Sequence, residues 1–212
     1  MATQQQIKRN SSAIRLWHWL NAAIISGSLL TVLINSTILK TRPNASFIKD
    51  TLKEAGATVS NDQARAVAHE LSDKIWTLHT YFGYVLVGLV AFRLLLEFFQ
   101  LADQRFIRSL KSAYAKYQSV KQQRETARHD FLVKTVYAMF YLMIITMAVT
   151  GLCLAFEDDV PALKAVHAFR EIHQFTMYLI LAFIVVHLAG VFLAERKDSP
   201  GIVSDMINGG KE

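Results

Sequence analysis

Seven histidines lie along the 212-residue chain, at positions 18, 69, 79, 129, 167, 173 and 187. A neutral imidazole can hold a transition metal, and the same ring can move a proton near neutral pH. His18, His79, His173 and His187 fall within or at the mouth of long apolar stretches, where an ionisable side chain is costly and marks a functional position. On one helix, His173 and His187 would sit within about 40° of each other and roughly 21 Å apart, sharing a face at two depths. His167 would be rotated by about 160° from His187 onto the opposite face. It also follows Pro161 in a polar turn, so His173 is preferred. His69 and His129 lie in polar segments and read as surface residues.

The elements that must carry these rings are long apolar runs. Apolar residues make up 52% of the chain, and they concentrate at 14–39, 75–99, 131–156 and 172–194. Each run exceeds the ~20 residues needed to cross a hydrocarbon core. Helices are expected, because each then satisfies its own backbone without water. The reading is an all-α integral membrane four-helix bundle forming a single domain over 1–212. Asn21, Ser26, Ser28, Thr31 and Asn35 make the first run polar, so that span should pack among its neighbours. Basic residues precede it, but no small-x-small cleavage site closes it, so it reads as a retained span.

Four spans put both termini and the central 100–130 segment on one side. That side carries Lys8, Arg9, Arg105, Arg108, Lys111, Lys116, Lys121, Arg124, Arg128, Arg196, Lys197 and Lys211. The other side has fewer cations and the acidic stretch "FEDDVPALK". The positive-inside rule then places both termini in the cytoplasm, which accounts for much of the net charge of +6. No basic-aromatic motif suggests nucleic acid. Two extramembrane segments read as helical. The first lies near 60–75, capped by Ser60 or Asn61, with Val67, Leu71 and Ile75 as its stripe, and continues into the second span. The second lies near 104–125, with Phe106, Leu110, Tyr114 and Tyr117 as an apolar face suited to the membrane surface. The tail "INGGKE" is expected to fray.

Chain direction alone sorts the histidines by depth. His18 and His187 fall at the level of the termini, and His79 and His173 at the opposite level. Two imidazoles at each of two levels, from different helices, suit two bis-histidine haem b groups, which need no covalent attachment motif. No Cys-x-x-Cys-His, His-Glu-x-x-His or Gly-rich phosphate loop occurs. Ala22, Ala23, Gly27, Gly83, Gly88, Gly151 and Gly190 offer room for a flat macrocycle, or simply for close helix packing. Haem propionates call for cations. Arg15 and Arg170 each precede a histidine by three residues and can share its face. Arg93 follows His79 by 14 residues, the same spacing as the fourth-span pair; its alternative is a pair with Glu97. Trp17, Trp19 and Trp76 sit at span ends as an aromatic belt. Met139, Met143 and Met147 read as packing, and the single cysteine, Cys153, as a small buried hydrophobe.

"RLWHWLNA" on the first span, "HTYFGYVLVGLVAFRLL" on the second, and two histidines 14 apart on the fourth resemble the prokaryotic cytochrome b561 superfamily. That group includes the di-haem b subunits of membrane-bound nickel-iron hydrogenases and formate dehydrogenases. The resemblance covers roughly residues 10–197. It implies that His18 and His187 hold the cytoplasmic-side haem and His79 and His173 the outer one, in a bacterial inner (plasma) membrane. It further implies electron transfer between a redox partner, subunit or carrier protein, and membrane quinone, as an oxidoreductase subunit more than a stand-alone enzyme. Three features depart from the pattern: a longer 40–74 segment, "LLLEFF" after Arg93 where a tryptophan is often found, and no recognisable quinone motif in 100–130. The long 40–74 segment reads as a docking surface. Two other readings remain. One is a stand-alone superoxide:quinone oxidoreductase of the same fold, with Arg170 or Lys74 drawing in the anion. The other is a haem-free proton or anion transporter built on the same histidines and Arg93, which leaves their pairing by level unexplained.

Overall fold

The computed structural model describes residues 12–99, 106–119, 124–164, 167–197 and 200–209. All regular structure among them is helical: α1 (Ser12–Thr37), α2 (Thr41–Glu54), α3 (Asn61–Phe99), α4 (Phe106–Ser119), α5 (Arg124–Ala155), α6 (Pro161–Lys164), α7 (Ala168–Lys197) and α8 (Ile202–Asn208). Helices α1, α3, α5 and α7 are long and apolar enough to cross a membrane, matching the four expected spans. The 39 residues of α3 rise about 58 Å, nearly twice a hydrocarbon core of about 30 Å. Part of it must therefore project into water, and its polar N-terminal portion, "NDQARAVAHELSDK", is the part that can. The expected helix near 60–75 and the second span are thus one continuous helix.

Side-chain burial along α1 is reversed relative to a soluble helix. Asn21, Thr31 and Asn35 are buried along with Ile25, whereas Leu16, Leu30 and Leu33 are exposed. That is the pattern expected where lipid is the solvent, because apolar side chains are at no disadvantage outside and polar ones find partners inside.

The chain divides into two compact units. In the unit covering residues 20–86, a helical hairpin follows α1. Asn44 Nδ2 donates to the carbonyls of Ile38 (2.7 Å) and Lys40 (2.9 Å), fixing the start of α2. At its far end Gly56 adopts φ +83°, the left-handed conformation that glycine adopts without strain. There Ala57 N–H returns to Leu52 O at 2.8 Å, closing the end of the helix. Helix α3 begins with a reciprocal capping box. Gln63 N–H donates to Ser60 Oγ (3.2 Å), and Ser60 N–H donates to Gln63 Oε1 (2.8 Å). Ser60 is thus the cap, one of the two expected residues. The stripe differs from expectation. Ala45, Ala64 and Ala68 form the buried contact, with Ile48 against it, while Val67 and Leu71 are about half exposed. Small side chains let the two backbones approach closely, and the larger apolar ones are left facing outward. Ser60→Ala should weaken the first turn of α3 by about 1 kcal/mol. Amide exchange at Gln63 and the residues next to it should then speed up roughly fivefold while the haem spectrum stays unchanged; unchanged exchange would mean that the cap contributes nothing.

In the other unit, α5 packs along α7, and α4 along the first part of α5. Tyr117 stacks on Phe131 at 5.8 Å with planes 9° apart, and Tyr114 lies 5.5 Å from the same ring. Ala113 and Ala127 are buried. The apolar face expected of the 104–125 segment is therefore in use at Tyr114 and Tyr117, and the Phe106 side chain lies outside the described residues. Helix α8 is a correction to the frayed tail as far as Gly209, while 210–212 lie outside the described residues. The Glu195 carboxylate accepts N–H bonds from Gly201 (2.9 Å) and Val203 (3.1 Å), satisfying donors that a helix start leaves open. Trp19 Nε1 donates to Met206 O at 2.9 Å.

Candidate haem sites

At the level of the termini, the first turns of α1 carry His18 and the later part of α7 carries His187. Their ring centroids are 6.3 Å apart, with planes inclined at 53°. Helix α7 orients its ring locally: Phe183, one turn earlier, lies parallel to His187 (5.9 Å, 4°) and is itself stacked on Phe140 of α5 (4.7 Å). Trp19 meets the His18 ring edge-on at 5.2 Å. Nδ1 of His18 is buried without a hydrogen-bond partner. A buried imidazole nitrogen without a partner is unusual in plain helix packing, and the ring spacing would suit a metal held between the two imidazoles. A metal–nitrogen bond of about 2 Å plus roughly 1 Å from nitrogen to ring centre, taken twice, gives about 6 Å.

Beside this pair lies a polar cluster. Arg93 Nε donates to Tyr141 Oη at 3.1 Å, and its guanidinium carbon is 5.7 Å from the Tyr141 ring centroid. Trp17 lies 5.7 Å from the same ring and donates Nε1–H to Leu89 O at 3.3 Å. The arginine placed within a span by the sequence is thus half-buried and engaged by a tyrosine; the Glu97 side chain, its alternative partner, lies outside the described residues. Trp17 and Trp19 do more than line a belt, since each ties α1 to a carbonyl distant in the chain. Arg15 donates to Ser12 Oγ at 3.2 Å, and its guanidinium lies against Gly209, where any Cβ would collide with it.

The other two histidines have surroundings of a different kind. His79 is half-buried on α3. Its Nδ1 lies 2.9 Å from Thr31 Oγ1, 3.3 Å from Ser28 Oγ and 3.3 Å from Ser28 O, with Trp76 edge-on at 5.4 Å. His173 is half-buried on α7. Its Nδ1 lies 2.9 Å from Thr150 Oγ1 of α5, and a Cβ on Gly151 would stand 3.3 Å from its Cε1. Gly151 therefore gives room to an imidazole. Gly27 gives room to the ring of Phe82, while Gly83, Gly88 and Gly190 face open space. In both histidines a threonine hydroxyl lies against Nδ1, the kind of contact that orients an imidazole.

Arg170 pairs with Glu157 at 3.0 Å in an exposed position, so its charge is shared with a carboxylate in the adjoining turn. His167 is exposed, and His69 pairs with Asp73 at 2.7 Å on the surface of α3. Met139 is exposed. Sequence reading did not single out Tyr141 or Thr150. The only available sign was a tyrosine and a threonine inside an apolar run, and their partners lie 48 and 23 residues away.

No curated protein and no solved structure matches this chain. The family model described as prokaryotic cytochrome b561 matches residues 9–209, nearly the whole of the 212, with apolar membrane-length helices throughout. The chain belongs to the prokaryotic cytochrome b561 family: it is a multi-pass membrane cytochrome of the haem b type that takes part in electron transfer.

Proposed function

We propose that the chain holds two haem b groups, one between His18 and His187 and one between His79 and His173, and passes electrons between the two faces of a bacterial inner membrane. The observation that carries this is the facing pair His18 and His187, whose 6.3 Å ring separation suits one coordinated metal. For the second pair the support is chain direction along four spans, together with a threonine hydroxyl against Nδ1 in both rings. When bound, the haem supplies a one-electron carrier whose six-coordinate iron has no open position for substrate.

The protein's own residues do the rest. Phe183, Trp19 and Trp76 fix ring orientation. Arg93 and Arg15, at the level of the termini, are the cations suited to propionates there. The termini are placed in the cytoplasm by the excess of basic residues on their side. Electrons enter or leave through membrane quinone at one end and a redox subunit or carrier protein at the other. The α2–α3 hairpin, with Phe47, Val67 and Leu71 exposed, is the surface offered to that partner. No observation favours direct oxidation of superoxide, because Lys74 pairs with Glu70 and Arg170 with Glu157, neutralising both cations expected to attract an anion. Pyridine haemochrome analysis of purified protein should give two haem b per chain. A ratio of one would remove the two-level arrangement, and a colourless sample produced with added haemin would remove haem binding altogether.

A further inference from the structure

The two histidine pairs differ in what their second ring nitrogen touches. Thr31 Oγ1 donates to the Ser28 carbonyl at 2.6 Å, and Thr150 Oγ1 donates to the Thr146 carbonyl at 2.6 Å. These are bonds back to the preceding turn, a habit of threonine in helices. A hydroxyl has a single proton. With that proton committed to a carbonyl, each threonine oxygen can only accept from the imidazole 2.9 Å away. At His79 the Ser28 carbonyl, 3.3 Å from Nδ1, adds an independent constraint, since a carbonyl oxygen cannot donate. These contacts favour hydrogen on Nδ1 in both rings, with the Ser28 hydroxyl, 3.3 Å from His79 Nδ1, then accepting as well. His18 has no such acceptor on its Nδ1, and the ring of His187 is held by Phe183 stacking.

We propose that Thr31 and Thr150 are positioning residues that hold His79 and His173 in the Nδ1–H tautomer and lower the reduction potential of the haem these histidines bind. The proposal rests on the ligand assignment above. An imidazole whose N–H is given to an acceptor becomes a more basic ligand. A more basic ligand stabilises the oxidised iron, and hydrogen bonding around the axial ligands is one of the protein's levers on potential. The arrangement acts at the His79/His173 level and has no counterpart on His18 Nδ1. It therefore favours electrons leaving that level for the His18/His187 level.

The test uses the full-length purified protein carrying Thr31→Val, Thr150→Val or both. Valine keeps the branched shape and removes the threonine acceptor, which leaves the longer contacts to Ser28 at His79; the larger shift is therefore expected from Thr150→Val. Redox titration should show one midpoint moving to a more positive value, further in the double variant than in either single one. The other midpoint should stay in place and the haem content should be unchanged. The low-spin ferric EPR signal of the same haem should shift with it. Thr31→Ser and Thr150→Ser, which restore the hydroxyl, should return the native midpoint. If a valine variant loses one haem that the serine variant retains, the hydroxyl is holding the ring and the proposal stands. Two native midpoints in the double valine variant, with both haems bound, overturn it while leaving the ligand assignment intact. Loss of the haem in the serine variants as well also overturns it, since threonine would then matter only for packing. A native protein without haem instead removes the ligand assignment itself.

Discussion

Alanine in place of either His18 or His187 is expected to halve the haem content and to stop electron passage between the two membrane levels. The two rings come from opposite ends of the chain. Among the described residues His69 is engaged by Asp73 on the surface of α3, and His167 lies exposed in the turn before α7, 20 residues from His187. Removing one ring leaves the other held by its aromatic neighbour, His187 stacked on Phe183 or His18 edge-on to Trp19, but with no second imidazole facing it. The haem that survives in such a variant should be the one assigned to His79 and His173, with its spectrum and midpoint unchanged. Adding imidazole to His187→Gly should restore a six-coordinate low-spin spectrum, because the lost side chain is the only part of the site removed. Phe183→Ala should be milder. The ring would lose its parallel neighbour, worth about 0.5–1.5 kcal/mol in aromatic pairs, and the haem should be retained with a changed EPR signal. A His18→Ala protein that keeps both haems would show that the facing rings are packing partners and nothing more.

The four spans were legible because they follow from length and hydropathy, and the meeting of His18 with His187 because it follows from chain direction, all of which are linear properties. The capping box at Ser60 was legible for the same reason: its partner is three residues away. What the sequence could not give were contacts between elements. Helix α2 carries a narrow stripe at Ala45, Ile48 and Leu52, but nothing in it says that the stripe meets Ala64 and Ala68 of α3. The stripe chosen on α3, Val67 and Leu71, followed the rule that large apolar residues point inward. Beside a membrane that rule weakens, because alanine permits close backbone approach and large side chains can face lipid or a partner. Helix α8 depends on a bond from Trp19, 187 residues away. The hydroxyls on His79 and His173 depend on interhelical register, which a single sequence leaves unspecified.

At the opposite level, His173→Ala or His79→Ala should remove the second haem, whereas His167→Ala should leave both in place. The helical phase that separated His173 from His167 has a physical counterpart in their surroundings. His173 is half-buried, its Nδ1 meets Thr150, and its Cε1 lies so close to Gly151 that a Cβ there would come within 3.3 Å. His167 is exposed, in the turn before α7. A ligand must be held in one orientation, and of these two His173 is the one with a hydroxyl that orients its ring. Gly151→Val extends the argument to the neighbouring helix. The 3.3 Å separation is tighter than an ordinary van der Waals contact, and valine adds two methyl groups to it. The ring of His173 must then move away from Thr150, and crowding of this kind typically costs about 1–3 kcal/mol. The expected result is a weakly held second haem, visible as substoichiometric haemochrome and a broadened redox transition, with the His18/His187 haem intact. If His167→Ala depletes haem and His173→Ala does not, the axial nitrogen comes from the turn before α7, and the hydroxyl on His173 serves only to satisfy a buried ring.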